Sequence, residues 1–222
     1  MKSLITLLLS IVFSASVIAA PGGGHHKITA YDYNDYLNSD IQSKTFIRHQ
    51  DGIDYDLAWY FDRPNPNEVV RTEVVTDAYG NITRYVDATF KRTAQSFDWL
   101  QSRQYDPNMP TPLPVDTTDY EPPVAALTSA MVPGIAWGSG GTINSSSSGE
   151  SFYTDKSEVL AVEAVTVPAG TFTECLKIYR LREFDVAITI QRVEWYCPDM
   201  GLVKRIQGGR RMIEMTGVTF NE

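Results

Sequence analysis

Two cysteines, three histidines and a scatter of carboxylates are the side chains here with chemical potential. Cys175 and Cys197 are too few and too far apart for zinc, which needs about four ligands in closely spaced pairs. His25 and His26 sit in the glycine-rich run Pro21–Lys27, where two adjacent imidazoles on a polar tail do not make a coordination shell. His49 is then the one imidazole base left in the body of the chain. Glu163 and Glu194 are the acid pair to consider for a secreted hydrolase, but nothing in the sequence brings them to the ~5–10 Å that glycosidase chemistry requires. Asp51, Asp54 and Asp56 lack a calcium-loop pattern and read as a solvated turn. The run Gly138–Gly149 has no Walker lysine. It also has no Gly-x-Ser-x-Gly elbow, because Trp137 stands two before Ser139. It reads as a flexible loop or weak edge hairpin. No catalytic residue, metal ligand or cofactor is assigned.

The elements that would have to position any site begin after an export signal. Lys2 is followed by an apolar run from Leu4 to Phe13, too short to span a bilayer, and then by the small residues of Val17–Ala20. Residues 1–20 are read as a signal peptide, cut after Ala19 or Ala20. No cysteine stands at that junction to carry a lipid, so the mature chain is expected to be soluble, periplasmic or secreted, with no transmembrane anchor. In that compartment Cys175 and Cys197 are expected to form a disulfide. The chain of 222 residues carries a formal charge of −8. An acidic chain offers no electrostatic footprint for nucleic acid or anionic lipid surfaces.

Residues 21–44 read as a flexible lead-in, and 45–222 as a single β-rich domain. Val- and Thr-rich runs separated by Asp-Gly, Gly-Asn and Pro-x-Gly signals give short strands. Gly80, Pro168, Gly170, Pro198 and Gly201 are assigned as structural turn residues. The prolines between 106 and 123 predict an extended crossing segment outside the middle of any sheet. From Ser157 onward four or five strands form an antiparallel meander. If Cys175 faces Cys197, Lys177 pairs with Trp195, Tyr179 with Val193 and Leu181 with Gln191. The other face then sets Arg180 against Arg192, an unfavourable pair that a bulge could remove. Trp137, Phe172, Tyr179 and Trp195 are read as core.

The run Val165-Thr-Val-Pro-Ala-Gly-Thr-Phe, then Cys-Leu-Lys-Ile, and the run Glu194-Trp-Tyr-Cys-Pro-Asp-Met-Gly-Leu-Val-Lys204 resemble a pattern of uncharacterised bacterial exported proteins and lipoproteins. These are similar in outline to the LolA/LolB-like half-barrels of the periplasm. Over residues 120–208 the resemblance implies a curved antiparallel sheet, a half-barrel or open barrel meander, whose concave face covers a helix or an apolar cavity. The expected function is non-enzymatic: binding of an apolar ligand or a lipidated partner in the bacterial envelope. The competing readings are a structural or interaction protein of an envelope assembly and, third, a secreted hydrolase. The ligand-binding residues are not identified by the sequence.

Overall fold

A computed structural model describes residues 30–109, 113–185 and 187–221. The segment read as a signal peptide, the His25–His26 pair and the start of the expected lead-in lie outside the described residues. The described residues are almost entirely antiparallel strand, with one 3-10 turn among them at Tyr33–Tyr36. Twelve strands follow one another: β1 (Ile41–Gln50), β2 (Ile53–Asn65), β3 (Glu68–Thr76), β4 (Ile82–Arg92), β5 (Ser96–Tyr105), β6 (Pro114–Thr128), β7 (Ala136–Ser145), β8 (Gly149–Val167), β9 (Gly170–Phe184), β10 (Thr189–Cys197), β11 (Gly201–Gln207) and β12 (Arg211–Phe220). Each pairs with its neighbours in sequence, and β1 pairs with β12, so the meander closes into a barrel. Phe46 opposite Met215 and Arg48 opposite Ile213 lie on this seam. Closure removes the free edges that a half-barrel would leave.

The turns use the residues their geometry demands. In the β3–β4 turn Gly80 has a φ of 84°, and the Asp77 carboxylate accepts the N–H groups of Tyr79 and Asn81. Pro168 and Gly170 turn β8 into β9. Between β10 and β11 Pro198 opens the turn, and Asp199 and Gly201 both take positive φ. Gly201 is constrained twice, because a Cβ there would stand 2.8 Å from the Tyr36 carbonyl oxygen.

Two segments differ from the sequence expectation. The Pro-rich run supplies β6, in the wall between β5 and β7. The strand tolerates Pro122 and Pro123 because the ladders avoid them. On the β5 side the pairing jumps from Trp99–Val124 to Gln101–Asp119, and on the β7 side it covers only Thr118–Glu121. Side chains take over where backbone donors are missing: Trp137 Nε1–H donates to the Ala125 carbonyl at 3.0 Å and Tyr153 O–H to that of Pro122 at 2.6 Å. The Gly138–Gly149 run is likewise mostly strand, forming most of β7 and the turn into β8. A Cβ on Gly141 would overlap the Glu121 carbonyl, so glycine here permits close approach of two backbones.

The second difference is at the N-terminus. Residues 31–44 are packed rather than a loose lead-in. Tyr31 bridges Met131, and Asp32 caps the 3-10 turn. Tyr33 and Tyr36 are buried, and Ile41 already belongs to β1. Tyr33 O–H donates to the Thr93 carbonyl at 2.5 Å, and Asp199 N–H donates to the Asp35 carbonyl at 2.8 Å. Aromatic bulk and these long-range bonds fasten the segment to the barrel, with Tyr36 and Leu37 packed in the apolar cluster that holds Val69, Phe90, Leu127 and Ile178.

A second cluster gathers Phe46, Trp59, Trp195, Val203 and Met215 around the disulfide Cys175–Cys197. Here β11 and β12 pair only over Lys204–Gln207, and the tip of the β8–β9 hairpin approaches β12, with Ala169 N–H donating to the Met215 carbonyl at 3.0 Å.

Candidate binding cavity

A barrel of eight strands is about filled by its own side chains, whereas wider ones leave space. Twelve strands leave a central cavity of about 460 Å³. Alternation decides what faces it. On β9 the inward positions are Leu176, Ile178, Arg180 and Arg182. On β10 they are Arg192, Glu194 and Tyr196, on β11 Arg205 and Gln207, and on β3 Arg71 and Glu73. Among the described residues, eight arginines and two glutamates line this space.

The β9–β10 register is the one that opposes Lys177 with Trp195, Tyr179 with Val193 and Leu181 with Gln191. Arg180 therefore does face Arg192, and no bulge separates them. Carboxylates from elsewhere make the arrangement tenable. Glu194, 1% exposed, accepts from Arg205 Nε at 2.7 Å, from Arg180 Nε at 3.3 Å and from the Tyr196 hydroxyl at 3.2 Å. Asp155 on β8 accepts from Arg182 Nε at 2.8 Å and Arg180 Nη1 at 3.4 Å. Arg180 also donates to the Ala126 carbonyl at 2.6 Å. Burial alone would raise the Glu194 carboxyl, but Arg205, Arg180 and Arg192 outweigh it and hold it well below the carboxylate range. Burial and the Glu194 charge push the Tyr196 hydroxyl up to about 12.

Other arginines in the cavity lack such partners. Arg71 and Arg192 make no ion pair, nor do Arg48 and Arg211, among the described residues. Arg71 lies over the rings of Trp59 (4.3 Å) and Phe90 (5.3 Å), and its Nε has no hydrogen-bond acceptor. Arg192 Nε donates only to Gln207 at 3.1 Å. Burial, then Arg205, push the Arg192 guanidinium below the ordinary arginine range.

Beneath the N-terminal segment lies a smaller, apolar cavity of about 90 Å³, walled by Tyr36, Ile41, Trp59, Phe61, Phe97 and Leu127. It shares Arg71, Phe90, Ala126 and Tyr196 with the central cavity, so the two adjoin. Lys44 borders it at 4% exposure, donating to the Met200 carbonyl, and burial lowers its pKa to about 7. A third space of about 240 Å³ opens among Asp51, Thr189, Gly208 and Arg210, sharing Ile190, Gln207 and Arg211 with the centre.

The residues weighed for catalysis are not brought together. His49 Nδ1 lies 2.6 Å from the exposed Asp54 and its Nε2 lies 3.8 Å from Glu214. Among the described residues no hydroxyl or thiol hydrogen-bonds to it. Glu163 accepts from Trp195 Nε1 at 2.7 Å, on the face of β10 opposite that of Glu194, so the sheet separates the two carboxylates. Asp51 and Asp56 are exposed. No group of three or more His, Cys, Asp or Glu side chains that could hold a metal occurs among the described residues. Trp195 is buried in the disulfide cluster; Phe172 and Trp137 are partly buried against the two apolar clusters.

The sequence reading missed the lining arginines. Their signal was present as a period of two, Arg71-x-Glu73, Arg180-x-Arg182, Arg192-x-Glu194 and Arg205-x-Gln207, the alternation of a polar inner face.

The chain is similar to proteins of undefined role. A family described as DUF3108-like matches residues 141–207. A crystal structure of a putative lipoprotein from Parabacteroides distasonis ATCC 8503 superposes with a TM-score of 0.52 at 17% identity, covering 83% of this chain and 97% of the other. At that identity the likeness is one of fold. No curated protein matches the chain.

Proposed function

We propose that this barrel is a non-enzymatic binding protein of the bacterial envelope, exported by its N-terminal signal, which takes an apolar chain into its interior. The observation that carries the reading is the apolar cavity under Tyr36, which adjoins the central cavity across Arg71, Phe90, Ala126 and Tyr196. A pocket of a few hundred Å³ with apolar walls and a few placed polar groups is the usual form of a small-molecule site. Val69, Leu127, Trp59, Phe61 and Phe97, which wall the apolar cavity, would bury part of a hydrocarbon chain, at about 0.8 kcal/mol per methylene. The putative lipoprotein that shares the fold supports the envelope setting of this reading.

The test is native mass spectrometry of the protein purified from its own envelope fraction, followed by solvent extraction. A mass increment that disappears on extraction, together with displacement of an environment-sensitive apolar dye from the stripped protein, is the expected result. A protein that carries no increment and leaves the dye dark would refute the reading.

A further inference from the structure

The geometry points to an anionic headgroup, phosphate or a comparable multiply charged oxyanion, as the polar end of the bound molecule, seated among Arg71, Arg192, Arg48 and Arg211 in the central cavity. This rests on the binding reading above and specifies its ligand. The unpaired arginines are the first ground. Glu194 and Asp155 already serve Arg180, Arg182 and Arg205, and Glu73 serves Arg84 at 3.0 Å. No carboxylate is left at ion-pair distance for the remaining four. A lumen that merely tolerated polarity would balance its charges, because enclosed cations without counterions are costly.

The second ground is directionality. Guanidinium groups present planar donor forks suited to oxyanions. Arg71 has Nε unpartnered, and its guanidinium carbon stands 4.3 Å from the centre of the Trp59 ring and 5.3 Å from that of Phe90. Arg192 uses Nε on Gln207, leaving its Nη groups without a hydrogen bond among the described residues.

The third ground is position. Arg71 lies on the border that the central cavity shares with the apolar one. Arg211 lies on the border with the outer space among the turns. A molecule entering from the turns would pass Arg211, set its chain against Phe90 and Tyr36, and leave its charged end among the arginines. The acidity of the whole chain, which suggested no affinity for anions, does not extend to this interior.

Isothermal titration separates the elements of the proposal with three probes below micellar concentration: decyl phosphate, decyl glucoside and inorganic phosphate. Decyl phosphate should bind at least ten-fold more tightly than decyl glucoside, and more tightly than inorganic phosphate. Arg192→Gln and Arg71→Gln should each remove most of that preference, while Lys177→Gln, a charge lost away from the cavity, should keep it. Arg192→Gln should also leave the empty protein at least as heat-stable as before, since it removes an uncompensated cation, while erasing the thermal shift that decyl phosphate gives. Equal affinity for decyl phosphate and decyl glucoside would overturn the anionic seat and leave the binding function standing. Binding of inorganic phosphate as tightly as decyl phosphate, with no affinity for decyl glucoside, would support the seat but show a free anion as its occupant and remove the apolar-chain reading. A preference that survives both arginine substitutions would overturn the assignment of residues.

Discussion

The two halves of the interior are built on opposite logics. Under the N-terminal segment, Tyr36, Leu127, Phe90 and Ile178 pack by shape, with Lys44 as one enclosed cation among them. Around Glu194 the same alternation places guanidiniums and carboxylates inward, and cohesion comes from charge-assisted hydrogen bonds. The apolar half draws its stability from burial and loses it gradually as side chains are trimmed. The charged half is held by a few acceptors that each serve several donors, so one removal strands several charges. Keeping unpaired cations beside a paired network costs stability.

The sharpest test removes the acceptor. Glu194→Ala should cost about 3–5 kcal/mol in urea unfolding, because Arg205 would be left enclosed without a counterion and Arg180 with Asp155 alone. The same group sets an acid limit. Its folded pKa is depressed below the ordinary 4.5, so its contribution is complete above pH ~4.5 and fades as pH falls toward the folded value. Wild-type stability should therefore drop steadily below pH 4.5, and the variant's should drop less steeply.

On the apolar side, Leu127→Ala should cost about 3 kcal/mol by opening a void at a residue 1% exposed, with little change in the acid limb. An equal acid response in both variants would break the contrast between the halves. Opening Cys175–Cys197, by replacing both with alanine, should cost roughly 3 kcal/mol, the loop-closure effect expected for a separation of 22 residues. Wild-type protein in strong reductant should match that loss.

A separate pH effect concerns Lys44. Its folded pKa is lowered to about 7 from 10.5, so between those values the unfolded chain holds the proton more firmly than the folded one. Stability should rise with pH across that window, on the order of a few kcal/mol. In Lys44→Met the slope should flatten. A rise of the same size in the variant would show that the amine is not its source.

Much of the wall was legible in the residues. The turn at Asp77–Asn81 and the meander after Ser157 follow from local chemistry. The pairing of Lys177 with Trp195 and Tyr179 with Val193 is the one obtained by setting Cys175 opposite Cys197, although the Arg180–Arg192 conflict left that register open. Closure was not legible, because the pairing of Phe46 with Met215 has no local signal. The N-terminal segment was misread since Tyr, Asp and Asn lack periodicity, and only contacts with distant residues such as Thr93 and Asp199 reveal its role. The cavity escaped notice for a related reason. Arg180 opposite Arg192 is a conflict when two strands are considered alone. It is resolved by Glu194 two residues along and by Asp155 on a third strand. A pairwise rule on neighbouring strands does not reach that far.

The seam between the first and last strands makes the enclosed space a property of the whole chain. Neither half of the polypeptide owns a chamber: a nascent molecule lacking its final ten residues has a bent ribbon with two raw borders, its arginines open to water and its oily recess unroofed. Whatever the protein holds can be grasped only after the far end of the chain comes home to Phe46.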